Sequence, residues 1–164
     1  MIGCGAPRRA TNADGEAIRE LVFSVLREYD LEPDPAGTDA DLSDIEGNYH
    51  ARGGLFDVLE DAAGDIVGSV ALYPLDRETC ELRKMYLARP VRGRGHGKRL
   101  LEHALDRATD LGFRCVVLET ASALKEAIAL YVDYGFQPYS PRHRSKRCNA
   151  AYRLDLHPGD RSGR

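Results

Sequence analysis

The sequence predicts one α/β domain, a mixed and mostly antiparallel sheet with helices on both faces. Three observations lead there. Apolar runs at Leu55 to Glu60, Ile66 to Tyr73 and Cys80 to Leu87 follow one another across short polar turns, as in a β-meander. The stretch Val91-Arg92-Gly93-Arg94-Gly95-His96-Gly97-Lys98 then separates the third run from an amphipathic segment, Leu100 to Leu111. A further apolar run at Cys115 to Leu118 completes a β-α-β unit, so the meander continues into a crossover connection. With 164 residues the chain has the length of one domain. A chain of that size buries roughly 70% of its unfolded surface, enough for a self-sufficient core.

Each element has a local reason. Thr11-Asn12-Ala13-Asp14 has the form of a capping box, and Ile18, Leu21, Val22, Val25, Leu26 and Tyr29 follow on one helical face. The prolines of Glu32-Pro33-Asp34-Pro35 stop that helix. Asp39 to Ala51 reads as a second, weaker helix with Gly53-Gly54 past its end. Ile66 to Tyr73 has no polar face, which predicts a central strand. Leu100, Leu101, Ala104, Leu105, Ala108 and Leu111 form the apolar stripe of the helix after the glycine turn, which Gly112 ends. Leu124 to Tyr134 is helical up to Gly135, and Phe136 to Tyr139 and Ala151 to Leu156 read as short final strands. Residues 1–157 are expected to form the domain and 158–164 a mobile polar tail.

Composition narrows the function. The chain is 43% hydrophobic and 30% charged with a net charge of −3, so no global field attracts nucleic acid. No apolar run approaches ~18 residues, so no membrane span is expected. The first ten residues lack the apolar core of a secretory signal. The four cysteines, at 4, 80, 115 and 148, form no C-x-x-C pair and read as small hydrophobes of a cytoplasmic protein. The five histidines fall in no metal-binding spacing, so no metal site is expected.

The glycine turn carries the chemistry. A tight turn feeding a helix aims free backbone N–H groups at one anion, and the helix N-terminus adds partial positive charge. Arg92, Arg94, Lys98 and Arg99 add full charges, so the turn suits a phosphate or pyrophosphate. Gly93, Gly95 and Gly97 run G-x-G-x-G, which is not the G-x-G-x-x-G of a dinucleotide-binding turn. Gly97-Lys98 is followed by Arg99 rather than Ser or Thr, which removes the hydroxyl that a P-loop uses to hold magnesium.

The spacing that fits is R-x-x-G-x-G, on Arg92, Gly95 and Gly97. With it the chain resembles the GNAT N-acetyltransferase superfamily, whose motif of this form grips the pyrophosphate of acetyl-CoA. Glu81-Leu82-Arg83-Lys84-Met85-Tyr86-Leu87 is similar to the family's fourth strand, and Leu118-Glu119-Thr120 to the end of its fifth. Ala127 to Phe136 is similar to the A-x-x-L-Y-x-x-x-G-F signature. The resemblance covers roughly residues 8 to 156 and is specific from Glu81 to Phe136. Leu124 departs from it, standing where many members carry an asparagine that contacts the cofactor.

The resemblance implies a GNAT fold with a splayed parallel pair of central strands, and acetyl-CoA as co-substrate with no metal. It places Arg92, Gly93, Arg94, Gly95, Gly97 and Lys98 on the phosphates, and backbone groups of Met85 and Leu87 along the pantetheine arm. Arg94 contributes mainly its N–H, while His96 and Arg99 are expected on the surface. Tyr131 is the implied general acid for the departing thiolate, and Tyr134 is expected to pack. Glu81, eleven residues before Arg92, is the first candidate for the base. Its bland reading is an ion pair with Arg83, and Glu119 is the rival. Arg142 to Arg147 reads first as a solvated loop, and the acidic positions Asp34, Asp39, Asp41, Asp44 and Glu46 first as loop and cap residues. The expected reaction is acetyl transfer to a primary amine of a small molecule by direct attack in a ternary complex. The alternatives are acetylation of a protein N-terminus or lysine, and a non-catalytic acyl-CoA-binding module. Dimers are common among relatives, so a homodimer is compatible with the reading.

Overall fold

Backbone pairing places seven strands in one sheet, in the order β1-β2-β3-β4-β5-β7-β6. The strands are β1 (Arg8–Arg9), β2 (Leu55–Glu60), β3 (Ile66–Pro74), β4 (Thr79–Leu87), β5 (Cys115–Thr120), β6 (Gln137–Pro138) and β7 (Ala150–Asp155). The helices are α1 (Gly15–Glu28), α2 (Ile45–Asn48), α3 (His96–Asp110) and α4 (Lys125–Asp133). This computed structural model describes residues 3–142 and 145–156, so the expected tail at 158–164 lies outside it. Every strand pair is antiparallel except β4 with β5. That is the mixed, mostly antiparallel sheet that the meander and crossover predict.

Two cores flank the sheet. Leu100, Leu101, Ala104 and Leu105 of α3 pack with Val70, Leu72, Leu82, Val116 and Leu118 on one face. Ile18, Val22 and Leu26 of α1 pack with Tyr49, Phe56, Val58 and Ala71 on the other. The 3.6-residue period of the helices and the 2-residue period of the strands produce this division directly.

The N-terminal half departs from expectation in two places. The stretch from Asp39 is not one helix but a 3₁₀ turn at Ala40–Ser43, the short α2, and a 3₁₀ turn at His50–Arg52. Asp44 interrupts it: its carboxylate accepts the Gly47 N–H at 2.9 Å, a local bond that competes with a continuous helix. Gly53 then ends the last turn with a φ of 85°, a conformation that glycine adopts without strain. The two-residue β1 has no apolar period to announce it, and its pairing with β2 is a tertiary event. The capping box forms as expected, with the Thr11 N–H donating to Asp14 Oδ2 at 2.8 Å.

The feature that positions the site lies inside β4. Ser69 is opposite Tyr86 and Ala71 is opposite Arg83, so Val70 faces both Lys84 and Met85. This is a β-bulge, and Lys84 within it has a φ of 52°. Ser69 Oγ donates to the Lys84 carbonyl at 2.6 Å, satisfying an acceptor displaced from the regular ladder. The extra residue inverts the alternation of the strand. Leu82 packs on the α3 side before the bulge, and Met85 and Leu87 pack there after it. Tyr86 is returned to the α1 side.

Ser69→Ala should leave that buried carbonyl without its partner. The expected cost is about 1–3 kcal/mol, measured by urea unfolding, with the m-value unchanged.

Candidate active site

The β4–β5 ladder covers only Thr79 with Cys115, Cys80 with Val116 and Glu81 with Val117. Beyond Glu81 the strands diverge, and a cavity of about 840 Å³ occupies the gap. Leu82 through Leu87 line it on one side and Glu119, Thr120 and Ala121 on the other. A strand edge facing a cavity offers backbone donors and acceptors to an extended ligand.

The glycine turn closes one end. Gly93 and Gly95 have φ of 76° and 85°, left-handed values that an L-residue adopts only under strain. Gly95 is also the N-cap of α3, so the turn leads directly into the unpaired N–H groups of the first helical turn. Helix α3 therefore begins at His96, inside the glycine stretch rather than after it. A side chain added at Gly97 would stand 3.6 Å from Leu87 and 3.7 Å from Leu130, on the cavity side. His96 corrects its expected exposure: it is buried, because it lies one turn before Leu100 on the same helical face. Burial, with Arg99 and Arg94 nearby, lowers its pKa.

Arg92 braces the turn. Its Nε donates to the Leu87 carbonyl at 2.9 Å, and Nη1 pairs with Glu28 at 2.7 Å. Its guanidinium lies 5.6 Å from the Tyr29 ring centre, and the Tyr29 hydroxyl donates to Glu126 at 3.0 Å. Among the described residues, Arg92 Nη2 is buried without a hydrogen-bond partner. A buried guanidinium donor held in reserve, two left-handed glycines and a helix N-terminus together fit a pyrophosphate-bearing ligand. Lys98 lines the cavity, with its ammonium 3.9 Å from Glu102. Arg94 is exposed and not among the lining residues, and Arg99 is exposed as expected.

The positions expected to act as acid and base border the same cavity. Glu81, Glu119 and Tyr131 all line the cavity. Glu81 Oε1 accepts from Arg83 Nε, and Arg83 lies 3.9 Å from the centre of the Tyr73 ring. The expected ion pair with Arg83 is present, and the carboxylate stands at the cavity wall. Glu119 Oε1 accepts the Ser145 N–H at 3.2 Å. Tyr131 is buried, with its ring 5.6 Å from that of Phe136. Burial, reinforced by the Tyr86 phenol, pushes the Tyr131 pKa well above the ordinary tyrosine value. Tyr134 packs as expected, its hydroxyl bonded to Glu102. Leu124 lines the cavity and makes no side-chain cap for α4, as its apolar character dictates.

Sequence reasoning missed Lys84, Tyr86, Arg147 and Cys148, all of which line the cavity. Arg147 is not the solvated loop residue expected of its basic run. It donates to both carboxylate oxygens of Asp39 at 2.9 Å. His143 and Arg144 of that run lie outside the described residues. Of the acidic set, Asp34, Asp44 and Glu46 accept backbone N–H groups, as loop and cap residues do. Asp39 also accepts a backbone N–H, that of Asp34, but it and the cavity-lining Asp41 both pair with Lys84 as well. Burial opposes ionisation of Asp39, but Arg147 and Lys84 outweigh it and hold its pKa at about 2. Burial pushes the Tyr86 phenol up to about 12, against the opposing pull of Arg147.

Comparisons with known proteins converge on this architecture. A family model described as the acetyltransferase (GNAT) family matches residues 19–136. An uncharacterized N-acetyltransferase of Escherichia coli (strain K12), YjgM, is 38% identical over 135 residues, covering 79% of this chain and 80% of the relative. A GNAT-family acetyltransferase structure from Staphylococcus aureus Mu50 superposes with a TM-score of 0.86 at 24% identity, covering 96% of this chain and 100% of that one. A GNAT-superfamily phosphinothricin acetyltransferase from Sinorhizobium meliloti, solved in complex with AcCoA, gives a TM-score of 0.70 at 25% identity, covering 97% and 90%.

Gly95→Val tests the phosphate reading. A β-branched residue at this φ costs about 1–3 kcal/mol unless the turn relaxes. The expected outcome is a loss of acetyl-CoA affinity by calorimetry with native far-UV circular dichroism. Unchanged affinity would remove the turn from the binding site.

The left-handed glycine turn, the splayed strand pair and the matched family model are one pattern seen three ways: the chain belongs to the GNAT acetyltransferase family and is an acetyl-CoA-dependent acyltransferase.

Proposed function

We propose that the chain N-acetylates a primary amine of a small molecule by direct attack within a ternary complex. The observation that carries the reading is that one cavity joins the glycine turn, the open edge of β4, and the Glu81 and Tyr131 side chains. Bound acetyl-CoA supplies an activated acyl carbon and a thiol leaving group. Direct attack needs no covalent enzyme intermediate, only the amine and the thioester held together at this strand edge.

Backbone groups of Met85 and Leu87 hold the pantetheine arm as a neighbouring strand would. The Leu87 carbonyl already accepts from Arg92, so its N–H is the group that serves. An N–H of this edge polarises the thioester carbonyl as charge develops on its oxygen. The turn from Arg92 to Lys98 holds the pyrophosphate through backbone N–H groups, with Arg94 contributing only its N–H.

Glu81 takes the proton of the incoming ammonium, directly or through one water. Arg83 fixes the carboxylate in place through Oε1. Glu119 is the second carboxylate at this end and the alternative acceptor for that proton. Tyr131 holds its own proton firmly, since burial raises its pKa. A phenol of that kind stabilises a developing thiolate chiefly by hydrogen bonding. Full transfer to a thiolate of conjugate pKa ~8.5 is uphill from a free phenol at ~10, and burial makes it more so. The reading places the enzyme in a reducing cytoplasm, supported by the cysteines Cys80 and Cys115 buried as unpaired thiols in strands. Among the described residues no helix is long and apolar enough to cross a membrane.

Tyr131→Phe should lower kcat by about 10²–10⁴ and leave acetyl-CoA affinity nearly unchanged, read by CoA release with an amine panel and by calorimetry. Because the raised pKa keeps this phenol protonated below about pH 10, the wild-type rate should not fall between neutral and mildly alkaline pH through loss of this proton. Unaltered turnover in the variant would end the assignment.

A further inference from the structure

We propose that Asp39, which stands behind the cavity wall rather than on it, decides the charge of the acceptor that the cavity admits. The proposal rests on the acetyl-transfer reading above and deepens its acceptor side. The Asp39 side chain is 0% exposed. It receives Lys84 Nζ at 2.5 Å and both terminal nitrogens of Arg147 at 2.9 Å. Oδ2 also accepts the Asp34 N–H at 2.9 Å. One carboxylate therefore ties together the loop after α1, the bulge of β4 and the segment entering β7.

Lys84 and Arg147 line the cavity, whereas Asp39 does not. Their side chains border the site while their charged ends are tied back onto Asp39, so the charge that balances them sits one layer behind the wall. Asp41 assists from the wall itself, with Oδ1 3.4 Å from Lys84 Nζ and Oδ2 bonded to the Tyr49 hydroxyl. Lys84 and Arg147 are thus matched by Asp39 and Asp41, and the neighbouring Arg83 by Glu81. With the network intact the acceptor end has no surplus of positive charge among these groups, and an ammonium can enter before it gives up its proton. Removing the Asp39 charge leaves two cations undercompensated in a low-dielectric wall. They would repel an ammonium-bearing acceptor and attract a carboxylate.

The network is built around the bulge. Only because the alternation of β4 inverts at Lys84 does this residue turn toward the loop carrying Asp39. Arg147 supplies the second half from the irregular segment that leads into β7.

The test compares kcat/KM for spermidine, a polycation, with that for glutamate, an amino-dicarboxylate, in wild type, Asp39→Asn and Arg147→Gln. Asp39→Asn should shift the ratio toward glutamate by about tenfold or more, equivalent to ~1.4 kcal/mol. Arg147→Gln should shift it the opposite way, toward spermidine. A purely structural role predicts no such reversal of sign. Equal ratios in all three proteins would overturn the proposal. If Asp39→Asn does not fold, the Arg147→Gln shift alone decides. A second arm needs no turnover: trinitrobenzenesulfonate labelling with peptide mapping should modify Lys84 far more slowly than Lys98 in wild type, since their side chains are 5% and 59% exposed. Equal labelling of the two in wild type would overturn the Asp39 tie. A wild type that acetylates neither amine nor any other in a broad panel overturns the small-amine reading, and the acceptor preference with it. A wild type that acetylates them while both variants keep its ratio overturns the preference alone.

Discussion

The parallel ladder between β4 and β5 stops at Glu81 and Val117, and most of what this protein can do depends on where it stops. Each strand keeps one paired edge, β4 against β3 on both sides of the bulge and β5 against β7. Each therefore remains anchored while its other edge opens. A strand edge left unpaired inside a protein carries obligatory donors and acceptors that water or a ligand must satisfy. The divergence makes a slot whose walls are backbone. An extended, amide-bearing ligand can replace the missing strand there, and a compact one cannot satisfy the same groups.

The bulge at Lys84 then divides the slot chemically. Before it, alternation sends Leu82 to the α3 core; after it, Met85 and Leu87 go there. The opposite face receives Glu81 and Arg83 from one side of the bulge and Tyr86 from the other, with Lys84 drawn to Asp39 between them. An unbroken strand could not have placed consecutive basic residues toward one wall, because successive side chains alternate. The Ser69 hydroxyl on the Lys84 carbonyl supports this irregularity with a hydrogen bond that the ladder could not supply.

Electrostatics follows the same division. The turn end concentrates donors: Arg92, Lys98 and the N-terminus of α3, all suited to an anion. The far end balances its charges in pairs, Arg83 with Glu81 and Lys84 and Arg147 with Asp39 and Asp41. A buried ion network of this kind is a weak source of net stability, since desolvation offsets much of the attraction. Its geometry is restrictive, however, and it joins the loop after α1, the bulge of β4 and the segment before β7.

The sequence by itself determined the elements whose signals are local. The periodicity of α1 and α3, the continuous apolar run of β3 and the spacing of Arg92, Gly95 and Gly97 each follow from a few adjacent residues. So does the geometry of the glycine turn, because left-handed backbone and a helix start are short-range properties. The pairing of β1 was decided by tertiary structure, whereas the break at Asp44 and the burial of His96 have local causes. Tertiary structure also brought Lys84, Tyr86 and Arg147 to the cavity. Arg147 reads in sequence as one member of a solvated basic run, and Asp39 as one of several loop acids. Only the folded chain brings them to 2.9 Å, because the attraction between residues 108 positions apart leaves no trace in the sequence around either one. The glycine turn is therefore legible from spacing, whereas the cavity wall in front of Asp39 is assembled by contacts between distant segments.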